Sequence, residues 1–332
     1  LPREEFDEKR VADSIKELQR EFSGNSFHLH TYMGVYEIRD RDEAVSIMVD
    51  KANIAADTIK NNYDCCVAYY DEHLLEISIE QRRLLGEFEP ALQNDEFVMY
   101  LQPQVKRDGA AKGAEALVRW VHPSRGILTP YAFIDILENA GLIYKLDLYI
   151  WEKAAQKLAE WKEKGYGSYH ISVNISTKDF YIIDIYETFT GLINKYGIAA
   201  SNLHLEITET TLMTDFEKNM NIIHKLQGVG FRVEIDDFGS GYSSLNMLKD
   251  ISADVLKIDM GFLRKSENEV KGQDILESII TLAGKIGMDV ITEGVETKKQ
   301  LDMLTMMGCH EFQGYYFSKP VPVSEFEEKY LV

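Results

Sequence analysis

The chain has 332 residues, 45% of them apolar, enough for a sizeable core in one large domain or two smaller ones. Asp plus Glu number 55 against 36 Lys plus Arg, and the resulting charge of −19 argues against non-specific binding to long nucleic acid or to an anionic membrane surface. Cys65, Cys66 and Cys309 form neither a metal-spaced cluster nor a disulfide framework, and no apolar run approaches the roughly 20 residues of a membrane span, so a cytoplasmic location without membrane contact is expected.

In chain order, the first elements are small. Phe6, Val11, Ile15, Leu18 and Phe22 recur at helical spacing and predict a helix over 3–22. A strand follows over 27–38, a helix over 41–61 and a short strand over 65–70. Residues 76–93 read as a connecting helix, which divides the chain into an α+β unit at 1–75 and a larger domain at 94–332. The opening on Leu1 rather than Met suggests a piece of something longer, such as the cytoplasmic part of a membrane-anchored protein. No catalytic constellation is visible in the smaller unit.

Beyond residue 97 eight strands are predicted, over 97–105, 113–121, 170–176, 203–208, 232–238, 254–259, 289–295 and 311–317. Helical patterns at 144–164, 216–228, 270–286 and 297–307 separate most of them. The first two have no helix between them and form a hairpin about Asp108-Gly109, a favoured turn pair. The order fits an α/β fold, a (β/α)8 TIM-like barrel whose first strand runs antiparallel. A doubly wound open sheet is the alternative.

Side-chain alternation supports the barrel. Ile171, Val173 and Ile175 share one strand face, and Ser172, Asn174 and Ser176 the other. Leu205 and Ile207 separate in the same way from His204, Glu206 and Thr208, as do Val233 and Ile235 from Glu234 and Asp236, and Leu256 and Ile258 from Lys257 and Asp259. An antiparallel sheet with one wet face would also alternate. Strands joined by helices, however, should be parallel and covered outside, so the polar faces should line the barrel, with late-strand residues at its carboxyl-terminal mouth.

The most informative stretch is V-E-I-D-D-F-G-S-G-Y-S-S at 233–244, where a buried strand ends in the adjacent carboxylates Asp236 and Asp237. Desolvated neighbouring charges of one sign call for a cation. Glu115, Asn174, Glu206, Asp236, Asp237 and Glu293 converge on the expected mouth with the cations Lys257 and Arg119. All six anionic or amide groups offer oxygen, which selects Mg²⁺ or Mn²⁺ over Zn²⁺, and five carboxylates suit two ions rather than one. Two such ions handle in-line displacement at phosphorus. Spacing alone leaves structural salt bridges and helix caps open as the alternative.

The chain resembles the EAL family of cyclic di-GMP phosphodiesterases over about 85–332. The motifs that carry the resemblance are L-Q-P-Q at 101–104, E-A-L-V-R-W at 115–120, S-V-N at 172–174 and L-E-I-T-E at 205–209. They continue with D-D-F-G-S-G-Y-S-S at 236–244, L-K-I-D at 256–259, E-G-V-E at 293–296 and F-Q-G-Y-Y-F-S-K-P at 312–320. The resemblance implies hydrolysis of cyclic di-GMP to linear pGpG with two Mg²⁺ or Mn²⁺ ions. It makes Glu115, Asn174, Glu206 and Asp236 ligands of one ion, Asp236 a bridge, Asp237 a ligand of the other, and Glu293 a carboxylate of the same centre. Lys257 would contact the hydrolytic water. Gln102, Leu117, Arg119, Asp259 and Gln313 would line the dinucleotide. The resemblance also makes Glu209 catalytic with Lys257 and Glu293; Glu209, the loop residues Phe238, Gly239, Ser240 and Gly241, and Glu296 match a regulatory loop near the catalytic centre and a homodimer interface.

Departures from the family pattern are Gln104, Ser240 and Thr292, none of which removes a ligand. The amino-terminal unit resembles the C-terminal half of a GGDEF domain without its signature loop, which implies an upstream sensor or the remainder of that domain in the parent protein. A cyclic di-GMP receptor that binds without hydrolysis is the competing reading.

Overall fold

The computed structural model describes residues 6–22, 31–60, 65–239, 251–261 and 269–331. All eight expected strands are formed. They are β1 (Phe97–Lys106), β2 (Ala111–His122), β3 (His170–Ile175), β4 (Leu203–Thr208), β5 (Val233–Phe238), β6 (Val255–Asp259), β7 (Asp289–Glu293) and β8 (Glu311–Phe312). Around the sheet the order is β1-β8-β7-β6-β5-β4-β3-β2, and pairing of β2 back onto β1 closes the ring. Closure leaves no doubly wound open sheet.

β1 is antiparallel to both neighbours, and the remaining pairs are parallel. The reversal follows from the β1–β2 hairpin, where Gly109 adopts φ +86° and its N–H donates to the Lys106 carbonyl at 2.9 Å. Short strands at Gly126–Leu128 and Val321–Pro322 add to β2 and β1.

Exposure decides between a barrel and a half-wet sheet. Ile171 and Val233 are 0% exposed, but so are their polar strand neighbours Ser172 and Glu234, and Lys257 as well. Both faces are therefore buried, the apolar one under helices and the polar one inside the ring.

Three strands stop earlier than alternation predicts, β3 by a single residue at Ile175 and two others by more. β7 ends at Glu293 because Gly294 turns the chain at φ +68°. β8 ends at Phe312 because Gly314 brings the chain directly against Val295, where a Cβ would collide with backbone. A helix at Ile185–Tyr196 escaped the periodicity reading, although Asp184 caps it by accepting from the Glu187 N–H at 3.0 Å and Gly197 ends it at φ +61°.

The chain divides into two compact units, Leu1–Phe88 and Glu89–Val332. In the first, Met33–Val35 and Val67–Tyr69 pair in parallel, with the helix Val45–Asp57 between them in sequence. Ile15, Cys66 and Val67 form its buried core, with Val11, Ala12 and Val35 packed against them. The helix expected to begin at 76 begins at Glu72, because the Asp71 carboxylate accepts from the Leu74 N–H at 3.0 Å and caps it. Among the described residues no helix is long and apolar enough to cross a membrane.

Candidate active site

Parallel strands bring their carboxyl-terminal residues to one end of the barrel, and there the polar interior converges on Lys257. Its Nζ lies 2.8 Å from Glu293 Oε1, 2.9 Å from Glu206 Oε2, 3.3 Å from Asp236 Oδ1 and 3.4 Å from Glu115 Oε2. These carboxylates come from β7, β4, β5 and β2, so the cluster exists only when the ring closes.

One ammonium faces four carboxylates. Burial pulls the Lys257 ammonium down, but the surrounding carboxylates, Asp236 and Glu115 foremost, outweigh it and hold it well above its usual value. Burial drives the Glu206 carboxyl well above the ordinary carboxylate range, and repulsion from Glu115 adds to this. Glu293 moves the same way, again chiefly from burial, with Lys257 opposing. Glu206 Oε1 is buried without a hydrogen-bond partner. An orphaned carboxylate oxygen in a cluster short of positive charge fits additional cations, and the all-oxygen donor set fits hard divalent ones.

Asp237 reaches the mouth by a device that alternation does not predict. Adjacent strand residues normally point to opposite faces. Here the β5–β6 register shifts between Ile235 and Phe238, and Asp237 takes φ +57°, the left-handed region. Asp237 is exposed next to Asp236 at the end of β5, and its carboxyl is raised by desolvation and then by the charges of Asp236 and Asp259.

A second group of side chains adjoins Glu115. Gln313 Nε2 donates to Glu115 Oε2 at 2.5 Å and to Gln102 Oε1 at 3.2 Å, and Gln102 Nε2 donates to the Ser318 carbonyl at 3.3 Å. Asn174 Nδ2 donates to Glu115 Oε1 at 3.2 Å. Trp151, which sequence reasoning passed over, donates from Nε1 to the Asn174 carbonyl at 3.0 Å and fixes the end of β3. Its indole at a helical core spacing gave no sign of that contact.

Arg119 lies over the Tyr100 ring at 5.4 Å and donates to the Val118 carbonyl at 2.8 Å; burial lowers its guanidinium. Leu117 is half-buried beside it on β2. Asp259 ends β6 and accepts from the Gly261 N–H.

The loop expectations divide. Phe238 is buried and Gly239 adopts φ +93°, whereas Ser240 and Gly241 lie outside the described residues. Glu209 opens the helix Glu209–Thr214 behind its Thr208 cap. Glu296 donates its N–H to Gln300 Oε1 at 2.9 Å, just before the capping box of Thr297 and Gln300.

The sequence model of the EAL domain matches residues 86–320. The chain belongs to the EAL domain family. The bifunctional diguanylate cyclase/cyclic di-GMP phosphodiesterase MucR of Pseudomonas aeruginosa is 32% identical over 272 residues, covering 82% of this chain and 39% of that protein. The cyclic di-GMP phosphodiesterase PdeR of Escherichia coli is 33% identical over 240 residues, 72% of this chain and 36% of the relative. The EAL chain thus spans less than half the length of these curated relatives. Among solved structures, a PaMucR phosphodiesterase in complex with c-di-GMP superposes at a TM-score of 0.70 with 33% identity, covering 74% of this chain and 99% of the other.

Proposed function

We propose that this EAL domain hydrolyses one phosphodiester of cyclic di-GMP, opening the ring to linear pGpG and lowering the second messenger in bacterial signalling. The observation that carries this reading is the single buried ammonium of Lys257 facing four carboxylates at the mouth of an EAL barrel. The names of MucR and PdeR and the cyclic di-GMP complex of a structural neighbour support the substrate.

Glu115, Asn174, Glu206, Asp236, Asp237 and Glu293 would hold two Mg²⁺ or Mn²⁺ ions, whose charge would serve to neutralise the scissile phosphate and to acidify a water. The chain's own groups do the rest. Lys257, already fixed by four carboxylates, orients the water and balances charge as the phosphorane develops. Gln102 and Gln313 hold Glu115 in place and, with Leu117, Arg119 and Asp259, line the dinucleotide. Arg119, braced on Tyr100, offers a planar cation to phosphate or guanine. Incubation with cyclic di-GMP and Mn²⁺ followed by nucleotide chromatography tests the reading. Linear product supports it; binding with no linear product would make the chain a receptor instead.

Metal charge also resolves how an acidic chain attracts an anionic substrate, since the positive site is local. We further propose that the amino-terminal unit is the C-terminal half of a GGDEF-like domain. Its strand–helix–strand order and the 272-residue match to a protein named as a cyclase support this. Glu209, the segment 238–244 and Glu296 are proposed to couple the site to a homodimer interface in the cytoplasm; sedimentation as a monomer at working concentration would contradict the dimer.

A further inference from the structure

We propose that the opposite, amino-terminal end of the barrel holds a second and chemically different metal site, in which His170, His204 and Glu234 bind a transition ion of the Zn²⁺ class. His170 opens β3, and His204 and Glu234 are the second residues of β4 and β5, so the three lie at the base of the ring rather than its mouth. Their exposures are 9%, 4% and 0%, and one ligand atom of each lies within 4.8 Å of the others.

Hydrogen bonds behind the two imidazoles fix which nitrogen faces inward. His170 Nε2 is 2.7 Å from Gln104 Oε1, and His204 Nε2 is 3.2 Å from the Ser201 carbonyl. Both partners are acceptors, so each Nε2 is placed to donate; this leaves His170 Nδ1 free to ligate, while His204 Nδ1 faces Glu234. That is the arrangement of metal-ligating histidines, whose far N–H is held by a carbonyl or carboxylate. Gln104, a departure from the family pattern with no role at the mouth, acquires one here: it is fully buried and orients His170.

The contact between His204 and Glu234 requires a shared proton or a metal ion. His204 Nδ1 and Glu234 Oε1 approach to 2.5 Å, and two acceptors meet so closely only around a proton or a metal. A divalent ion takes that place by releasing the proton. Glu234 Oε2 is buried with no hydrogen-bond partner, which leaves it available as a ligand. A cavity of about 510 Å³, lined by these three residues with Ser168, Ser201 and Lys112 among others, gives an entry path. Room for the His170 ring exists because residue 113 is glycine; a Cβ there would strike the imidazole.

Two nitrogens and one carboxylate select Zn²⁺-like ions over the hard cations suited to the mouth. Binding has one structural requirement. The two rings are stacked 3.8 Å apart at 5°, and a shared ion must lie near both ring planes, so they must splay.

The test is retention of Zn²⁺ after dialysis in excess Mg²⁺, counted by atomic emission, together with NMR of the histidine imidazoles in the unmodified chain. The expected result is about one retained ion per chain, with His170 and His204 resonances shifted by Zn²⁺ and unmoved by Mg²⁺. His170→Ala and His204→Ala should each weaken retention about 100-fold, and Gln104→Leu about 10-fold. Glu206→Gln, at the mouth, should retain the ion. Zn²⁺ retention indifferent to both histidine substitutions, or imidazole signals that Zn²⁺ leaves unchanged, would overturn the proposal. The NMR arm decides the matter even where an alanine variant fails to fold.

Discussion

At the mouth of the barrel Lys257 is outnumbered by Glu115, Glu206, Asp236 and Glu293, whereas at the base His204 is matched by Glu234 and His170 by Gln104. Two strands supply both ends: β4 carries His204 and Glu206, and β5 carries Glu234 and Asp236. The difference lies in how charge is closed. The base can satisfy nearly all its polar atoms with protons and amides, but the mouth has a surplus of carboxylates that must be neutralised by protons or by added cations. A buried surplus of one sign costs stability unless it is compensated, so the mouth is built for a bound state.

The largest expected break in this comparison is Lys257→Met. Removing the one cation that all four carboxylates share should lower phosphodiesterase activity more than about 100-fold. In chelator it should destabilise the fold by about 3–5 kcal/mol in urea titrations, because buried carboxylates lose their partner. An unchanged denaturation midpoint would mean that Lys257 is not what holds the mouth together.

Metal itself should sharpen the contrast. Mg²⁺ at about 100 times its dissociation constant should add about 2.7 kcal/mol of stability, and Glu206→Gln should reduce that gain. Equal melting in EDTA and in Mg²⁺ would contradict the cation requirement.

The pH dependence follows from the raised carboxyls. Glu206 and Glu293 stand well above their ordinary 4.5 in the folded chain, which therefore binds more protons than the unfolded chain above that pH. Metal-free stability should fall as pH rises from about 4.5, the reverse of an ordinary salt-bridged carboxylate. Mg²⁺ should flatten the slope, because bound cations favour the ionised carboxylates. Denaturation series in EDTA and in Mg²⁺ across pH check both signs.

A smaller effect is expected at Gly314→Ala. The Cβ would push against the Val295 backbone and move Gln313, at a cost of about 1–3 kcal/mol. Cyclic di-GMP binding should weaken with it, as read by calorimetry.

Much of the mouth was legible in the sequence because strand alternation is a strict period of two. It assigned Ser172, Glu206, Asp236 and Lys257 to one interior before any pairing was known. Asp237 was legible as a residue but not as a geometry, since its place depends on a register shift and a left-handed backbone that alternation excludes. Gln313 needed the contact between Gly314 and Val295, distant in the pattern and visible only in three dimensions. The base was half legible. Alternation turned His204 and Glu234 inward, but their meeting depends on strand stagger: Glu206 pairs with Glu234, while His204 pairs with Ser172. Residues 240–244 fall outside the described structure, so the loop remains a sequence expectation.

The central claim is that the mouth directs water in line onto a phosphodiester of cyclic di-GMP. Mass spectrometry of the product formed with Mn²⁺ in ¹⁸O-labelled water tests it directly. Linear pGpG carrying one ¹⁸O in its terminal phosphate is the result expected; intact cyclic dinucleotide, or a product without label, would contradict it.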